Sequence, residues 1–139
     1  MPTINRDGVR IYYEVHGSGP PLLLTHGYSS TSGMWQGQIA ALSKHHKLVL
    51  LDMRGHGQSG YPEDTMAYSE ALTVGDMAAL LDTVGADKAI VGGLSLGGYM
   101  SLAFYRAHPD RVRALLIIDT GPGFKKDDAL PSQYEITVS

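Results

Sequence analysis

The chain has 139 residues, 43% of them apolar and 18% charged, with a net charge of −3 and no cysteine. These figures favour one soluble globular domain with a single core. They exclude disulfides, thiolate catalysis and cysteine-ligated zinc, and they offer no basic field for nucleic acid or an anionic membrane. Neither a signal peptide nor a membrane span fits the short apolar runs near the N-terminus, which Arg6, Asp7 and Arg10 interrupt, so the expected location is the cytoplasm.

In chain order, residues 2–16 read as a hairpin. Asp7-Gly8 is a turn dipeptide that reaches positive φ cheaply, and Val9, Ile11, Tyr13 and Val15 alternate with polar neighbours as in a half-buried strand. Four apolar runs follow: Leu22 to Leu24 before Thr25-His26-Gly27, Leu48 to Leu51 before Asp52, Ala89 to Val91 before Gly92-Gly93, and Ala114 to Ile118 before Asp119. Continuous apolar runs of this length mark parallel strands covered on both faces. Helical stretches separate them. The first covers residues 34–44. In the second, Met77, Leu80, Leu81 and Val84 make one apolar face before Gly85, and in the third Met100, Ala103, Phe104 and Ala107 repeat the spacing before Pro109. Strand alternating with helix predicts an α/β sheet with right-handed crossovers.

The sharpest chemical signal is Gly93-Leu94-Ser95-Leu96-Gly97, a G-x-S-x-G sequence between a strand and a helix. There the chain must turn sharply, leaving the Ser95 hydroxyl strained and outward, and side chains at positions 93 and 97 would collide. Ser95 is thus the candidate nucleophile, and Gly93 and Gly97 are the elbow glycines. The helix N-terminus behind it favours a developing oxyanion. The expected oxyanion donors are the backbone N–H groups of Leu96 and of Tyr28, which follows His26-Gly27. His26 itself reads as a structural histidine bracing its loop rather than a proton carrier. Gly55, Gly57 and Gly60 form a G-x-G-x-x-G by spacing, but Pro62 stands where a helix should open, so dinucleotide binding is rejected. No motif calls for a metal or a cofactor.

Taken together, the His26-Gly27 loop, the Asp52 to Ser59 loop, the Ser95 elbow and the Pro109 to Asp119 strand entry resemble the α/β-hydrolase superfamily, especially its cap-bearing esterase, lactonase and epoxide-hydrolase-like branches. The likeness runs from about Asn5 to Gly123. It implies a mostly parallel sheet of about six strands in the order 1-2-4-3-5-6, with strand 2 antiparallel to the rest. It also implies carboxylic-ester hydrolysis through an acyl-enzyme on Ser95, with a small-molecule ester as substrate. A serine at the elbow disfavours the epoxide-hydrolase and dehalogenase chemistries, whose nucleophile is a carboxylate.

In that family the acid and the histidine follow the nucleophile in sequence. Here only His108 follows Ser95, and it lies at the far end of a helix of about 13 residues, roughly 20 Å away at 1.5 Å per residue; it reads as a surface residue. Asp119, at the C-terminal edge of its strand, reads as a loop cap, with a catalytic acid as the alternative. Residues 1–123 are accordingly expected to form a truncated hydrolase core, and 124–139 a weakly ordered tail where a cap region would begin. Such a chain is expected to be weak or inactive alone. The edge Leu115 to Ile118 is expected to be bare, inviting a homodimer or pairing with a complementary hydrolase chain; a non-catalytic pairing module is the alternative function.

Overall fold

The computed structural model describes residues 2–120 and 137–138. Strands β1 (Thr3–Arg6) and β2 (Val9–His16) form the expected hairpin. Its two-residue turn has φ of 52° at Asp7 and 89° at Gly8, the left-handed pair that matches the twist of the flanking strands. The Asn5 side chain accepts the Gly8 N–H at 2.7 Å and closes the turn.

The remaining long strands are β3 (Pro21–Thr25), β4 (Lys47–Leu51), β5 (Ala89–Leu94) and β6 (Val112–Ile118). The sheet order is β1-β2-β4-β3-β5-β6, with β2 antiparallel to its neighbours and β3 to β6 mutually parallel. A two-residue strand, β7 (Thr137–Val138), pairs parallel with Leu116 and Ile117 on the outer side of β6. This corrects the expectation of a bare edge along Leu115 to Ile118: two of those positions are paired. Most of the expected tail, residues 124–139, lies outside the described residues.

The apolar runs are continuous because each strand feeds two cores. Leu23, Val49, Leu51 and Val91 point to one face, where they meet α2 (Glu70–Thr83) and α3 (Leu96–Ala107) through Met77, Leu80, Leu81 and Phe104. Leu22, Leu24, Leu48 and Leu50 point to the other and pack with Trp35. Each fully buried leucine contributes about 1.5–3 kcal/mol through removal from water. The second face is covered by residues 32–42. Here a 3₁₀ segment, Ser32–Gln38, precedes a single α-helical turn, α1 (Ile39–Leu42), in place of the helix expected over 34–44. Gly33 and Gly37 weaken a regular helix there, and Thr31 Oγ1 accepts the Gly33 N–H at 3.1 Å, tightening the entry.

Helix α2 starts where Ser69 Oγ accepts the Leu72 N–H at 3.1 Å and stops before Gly85, whose φ is 74°. Helix α3 starts immediately after Ser95 and stops before Pro109. Its Leu102 packs on Leu115 and Ile117 of β6. The parallel strands β3 to β6 all aim their C-terminal ends at one edge of the sheet, where candidate sites form in open α/β folds.

Candidate active site

Ser95 sits between the last residue of β5 and the first of α3, with φ 54° and ψ −116°. A non-glycine residue there is strained by about 1–3 kcal/mol. The bend survives because its surroundings fix it. The Ser95 N–H donates to the Ile118 carbonyl at 2.9 Å, tying the turn to the end of β6, and its carbonyl accepts the Tyr99 N–H at 3.0 Å. Its side chain makes no cap bond to α3, so the hydroxyl is not spent on the helix.

The glycines explain how the bend can be so tight. A Cβ on Gly97 would lie 2.5 Å from the His26 carbonyl oxygen and still closer to that of Thr25. A Cβ on Gly93 would lie 2.6 Å from the Gly97 carbonyl carbon and again press on the Thr25 oxygen. The end of β3 therefore runs hard against the bend, and only hydrogen fits between them. Gly98 has the same constraint from Thr120.

That close approach brings the loop after β3 beside Ser95. A Cβ on Gly27 would stand 3.7 Å from Ser95 Cβ and 3.5 Å from the Leu94 oxygen. Tyr28, the next residue, is 76% exposed. Tyr28 and Leu96 line one cavity of about 240 Å³ together with Met53, Arg54, His56, Tyr68 and Met100. Leu96 opens α3, and N–H groups in the first turn of a helix have no intrahelical acceptor. The structure thus gathers Ser95, Gly27-Tyr28, Leu96, Gly93 and Gly97 at one point.

His26 is fully buried, and both ring nitrogens serve the backbone. Nδ1 donates to the Gly27 carbonyl at 2.8 Å, and Nε2 accepts the Met53 N–H at 2.9 Å. Burial pushes its imidazole below the ordinary histidine value of 6.5, an effect that outweighs the opposing bond to Gly27. This is the bracing role read from sequence. His108 closes α3 at its far end, its ring 5.1 Å from that of Phe104. Asp119 stands exposed at the end of β6 with φ 48°.

Sequence reasoning assigned no part to the anchors of the loop from Asp52 to Gly60. Asp52 is buried and accepts two backbone N–H groups, from Ser32 at 2.7 Å and Gln58 at 2.9 Å. Arg54 is buried in a two-pronged pair with Asp76 of α2, both contacts at 2.8 Å, and also donates to the Ala67 carbonyl at 2.7 Å. Arg6 reaches the same carboxylate at 3.2 Å. The signal available was Asp76 itself, an acid next to Met77 on a face otherwise apolar. Such a residue inside a packed helix demands a cation.

Residues 20–136 match the family model described as alpha/beta hydrolase fold. The chain belongs to that family. Among its relatives, it is 37% identical over 119 residues to a protein of Azorhizobium caulinodans provisionally named carbamate hydrolase RutD, covering 86% of this chain and 44% of that protein. It superposes on an enol-lactonase from Burkholderia xenovorans with a TM-score of 0.81 and 31% identity, over 87% of this chain and 47% of that one. An epoxide hydrolase mutant from Vigna radiata gives a TM-score of 0.84 at 29% identity, over 96% of this chain and 44% of that one. The chain therefore spans less than half the length of these relatives. Among its described residues no helix is long and apolar enough to cross a membrane.

Proposed function

We propose that the chain carries the nucleophile half of a serine hydrolase that cleaves carboxylic esters or lactones through an acyl-enzyme on Ser95. The observation that carries this reading is the Ser95 backbone, φ 54° and ψ −116°, held beside the Gly27-Tyr28 turn at the head of α3. In the proposed reaction Ser95 Oγ attacks the ester carbonyl to give a tetrahedral oxyanion, which accepts hydrogen bonds from the Tyr28 and Leu96 N–H groups. Its collapse breaks the bond to the alkoxy oxygen, which takes up the proton given up by Ser95, and water then attacks the acyl-enzyme to release the acid and restore the serine. The relatives named for carbamate and lactone substrates support acyl transfer as the reaction class. A carboxylate-nucleophile reaction is disfavoured by the serine at position 95.

The proton acceptor comes, in this reading, from outside the present residues, with Asp119 at the end of β6 left as a candidate orienting acid. His26 and His56 spend both ring nitrogens on backbone groups. His16 pairs with Glu14 at 2.7 Å, and His108 lies at the wrong end of α3. Hydrolysis by this chain alone is therefore slow, because loss of one triad member removes several orders of magnitude in rate. A cytoplasmic setting suits the cysteine-free sequence.

The test is hydrolysis of p-nitrophenyl esters by the chain and by Ser95→Ala. A slow turnover that disappears in the variant supports the reading, and equal rates in both overturn it. A second reading, pairing with another copy or a complementary hydrolase chain, draws on the stretch of β6 from Val112 to Leu115, which β7 leaves uncovered. Light scattering at high concentration decides it: a monomer throughout counts against pairing.

A further inference from the structure

The turn from Gly27 to Ser30 presents the Tyr28 amide and closes on itself through one backbone bond. Its internal bond is Ser30 N–H to the Gly27 carbonyl at 3.2 Å, and Ser29 sits at a left-handed φ of 58°. Such a turn needs an external grip. His56, on the loop after β4, supplies one: its Nε2 accepts the Ser29 N–H at 3.2 Å, while Nδ1 faces the Arg54 carbonyl at 3.2 Å. His26, at the root of the turn, grips the other loop in the same manner through Met53 N–H at 2.9 Å. The two rings lie 4.9 Å apart, centre to centre.

Each histidine thus anchors the loop that carries the other. A ring nitrogen that accepts an N–H carries no proton, and one that faces a carbonyl does, so both rings are neutral with hydrogen on Nδ1. A proton from solvent arriving on either Nε2 would set two N–H groups against each other. We propose that His26 and His56 are positioning residues, a reciprocal clasp that fixes the Gly27–Ser30 turn and with it the Tyr28 amide, and that opens when either ring is protonated. The value of that amide rests on the hydrolase reading above; the clasp itself does not.

The ionisable groups around the clasp are few. Asp52 and Arg54 come from the same loop as His56, and Arg54 is committed to Asp76. The Tyr28 ring meets His56 edge-on at 6.0 Å, and Tyr68 and Glu70 face it across the cavity, where the Glu70 carboxylate accepts the Tyr99 hydroxyl at 2.6 Å. The Asp52 carboxylate is committed to the Ser32 and Gln58 amides, and the Ser29 amide donates to His56. His26 is sealed from solvent, whereas His56 is half-buried.

The test uses the full chain labelled with nitrogen-15, followed by side-chain and amide spectra from about pH 8 to pH 5, the range in which histidine changes charge. At the upper end both rings should show the Nδ1–H tautomer. On acidification the Ser29 amide resonance should move with the His56 ring nitrogens. His56→Gln keeps an acceptor near the Nε2 position and does not titrate, so its Ser29 amide should stay at the bonded position throughout. His56→Ala should lose that position at every pH. Phosphonylation of Ser95 by a fluorophosphonate should fall about tenfold in the alanine variant and stay near wild type in the glutamine variant, the size of one lost hydrogen bond. An Nε2–H tautomer in either ring, a Ser29 amide indifferent to His56, or a glutamine variant that behaves like alanine would overturn the clasp. A titrating Ser29 amide beside an inert Ser95 would support the clasp and sink the hydrolase reading.

Discussion

The bend at Ser95 and the loop from Asp52 to Gly60 lie side by side at the same edge of the sheet, and they are held by opposite means. The bend is held by what is missing. Gly93, Gly97 and Gly98 have no Cβ, so the backbone of β3 and Thr120 press against them and force one conformation. The loop is held by what is present: the Asp52 carboxylate on two amides, the Arg54 guanidinium on Asp76, and two histidines on two more amides. A sharp turn between two regular elements can be fixed by steric exclusion alone. A longer irregular segment has many backbone N–H groups to satisfy and needs buried polar anchors.

The comparison predicts how each region fails. Gly97→Ala should have the largest effect, about 3 kcal/mol or more of lost stability, because the new methyl would overlap rigid backbone rather than a movable side chain. Urea unfolding measures it, and a variant as stable as wild type would break the steric account. Asp76→Ala should come next, close to the same scale, since it leaves Arg54, 4% exposed, buried without its carboxylate. Breaking one side of a buried pair typically costs about 3–5 kcal/mol. If Asp76→Ala is silent, the loop is held by something other than charge.

Ser95→Gly should move the other way. It abolishes ester turnover and raises stability by about 1 kcal/mol, because glycine accepts φ 54° without strain. Thermal unfolding beside the esterase assay reads both effects, and a stability loss would argue that the bend is not strained. The smallest effect is on acid stability. The folded protein holds His26 below the ordinary value of 6.5, so above 6.5 the ring is neutral in folded and unfolded chains alike and its full contribution is present. As pH falls below 6.5 the unfolded chain takes up a proton that the folded one refuses, and stability drops. Urea midpoints over that range should slope downward into acid, less so in His26→Gln.

The contrast also separates what was legible in the sequence from what was not. Exclusion by glycine leaves a local mark: Gly93 and Gly97 flank Ser95 within five residues, so the elbow could be read directly. The parallel α/β sheet followed from the same local marks, apolar runs alternating with amphipathic helices, whereas the strand order came from the resemblance to the α/β-hydrolase superfamily. Polar anchoring leaves no such mark. Arg54 and Asp76 are 22 residues apart in sequence, and nothing short of the folded sheet shows that α2 lays its buried acid, Asp76, under the loop after β4. His56 was hidden for the same reason, since its partner is an amide in a different loop. The helix expected over 34–44 was read from its place between two strands, and its first part, residues 34–38, is 3₁₀ instead, in a stretch that Gly33 and Gly37 weaken as a helix. The bare edge of β6 was inferred from the resemblance, in which a long seventh strand flanks the sixth, and it missed Thr137–Val138, a pairing too short to have a period.

The central claim is that Ser95 Oγ is a nucleophile flanked by the Tyr28 and Leu96 amides. The most direct measurement is prolonged treatment of the full chain with a fluorophosphonate, with the adduct mapped by mass spectrometry and the amide spectrum recorded before and after. The account predicts one adduct, on Ser95, and displaced resonances for both Tyr28 and Leu96 as the phosphonyl oxygen takes their hydrogen bonds. An unlabelled Ser95, or a labelled one with either amide unmoved, would contradict it.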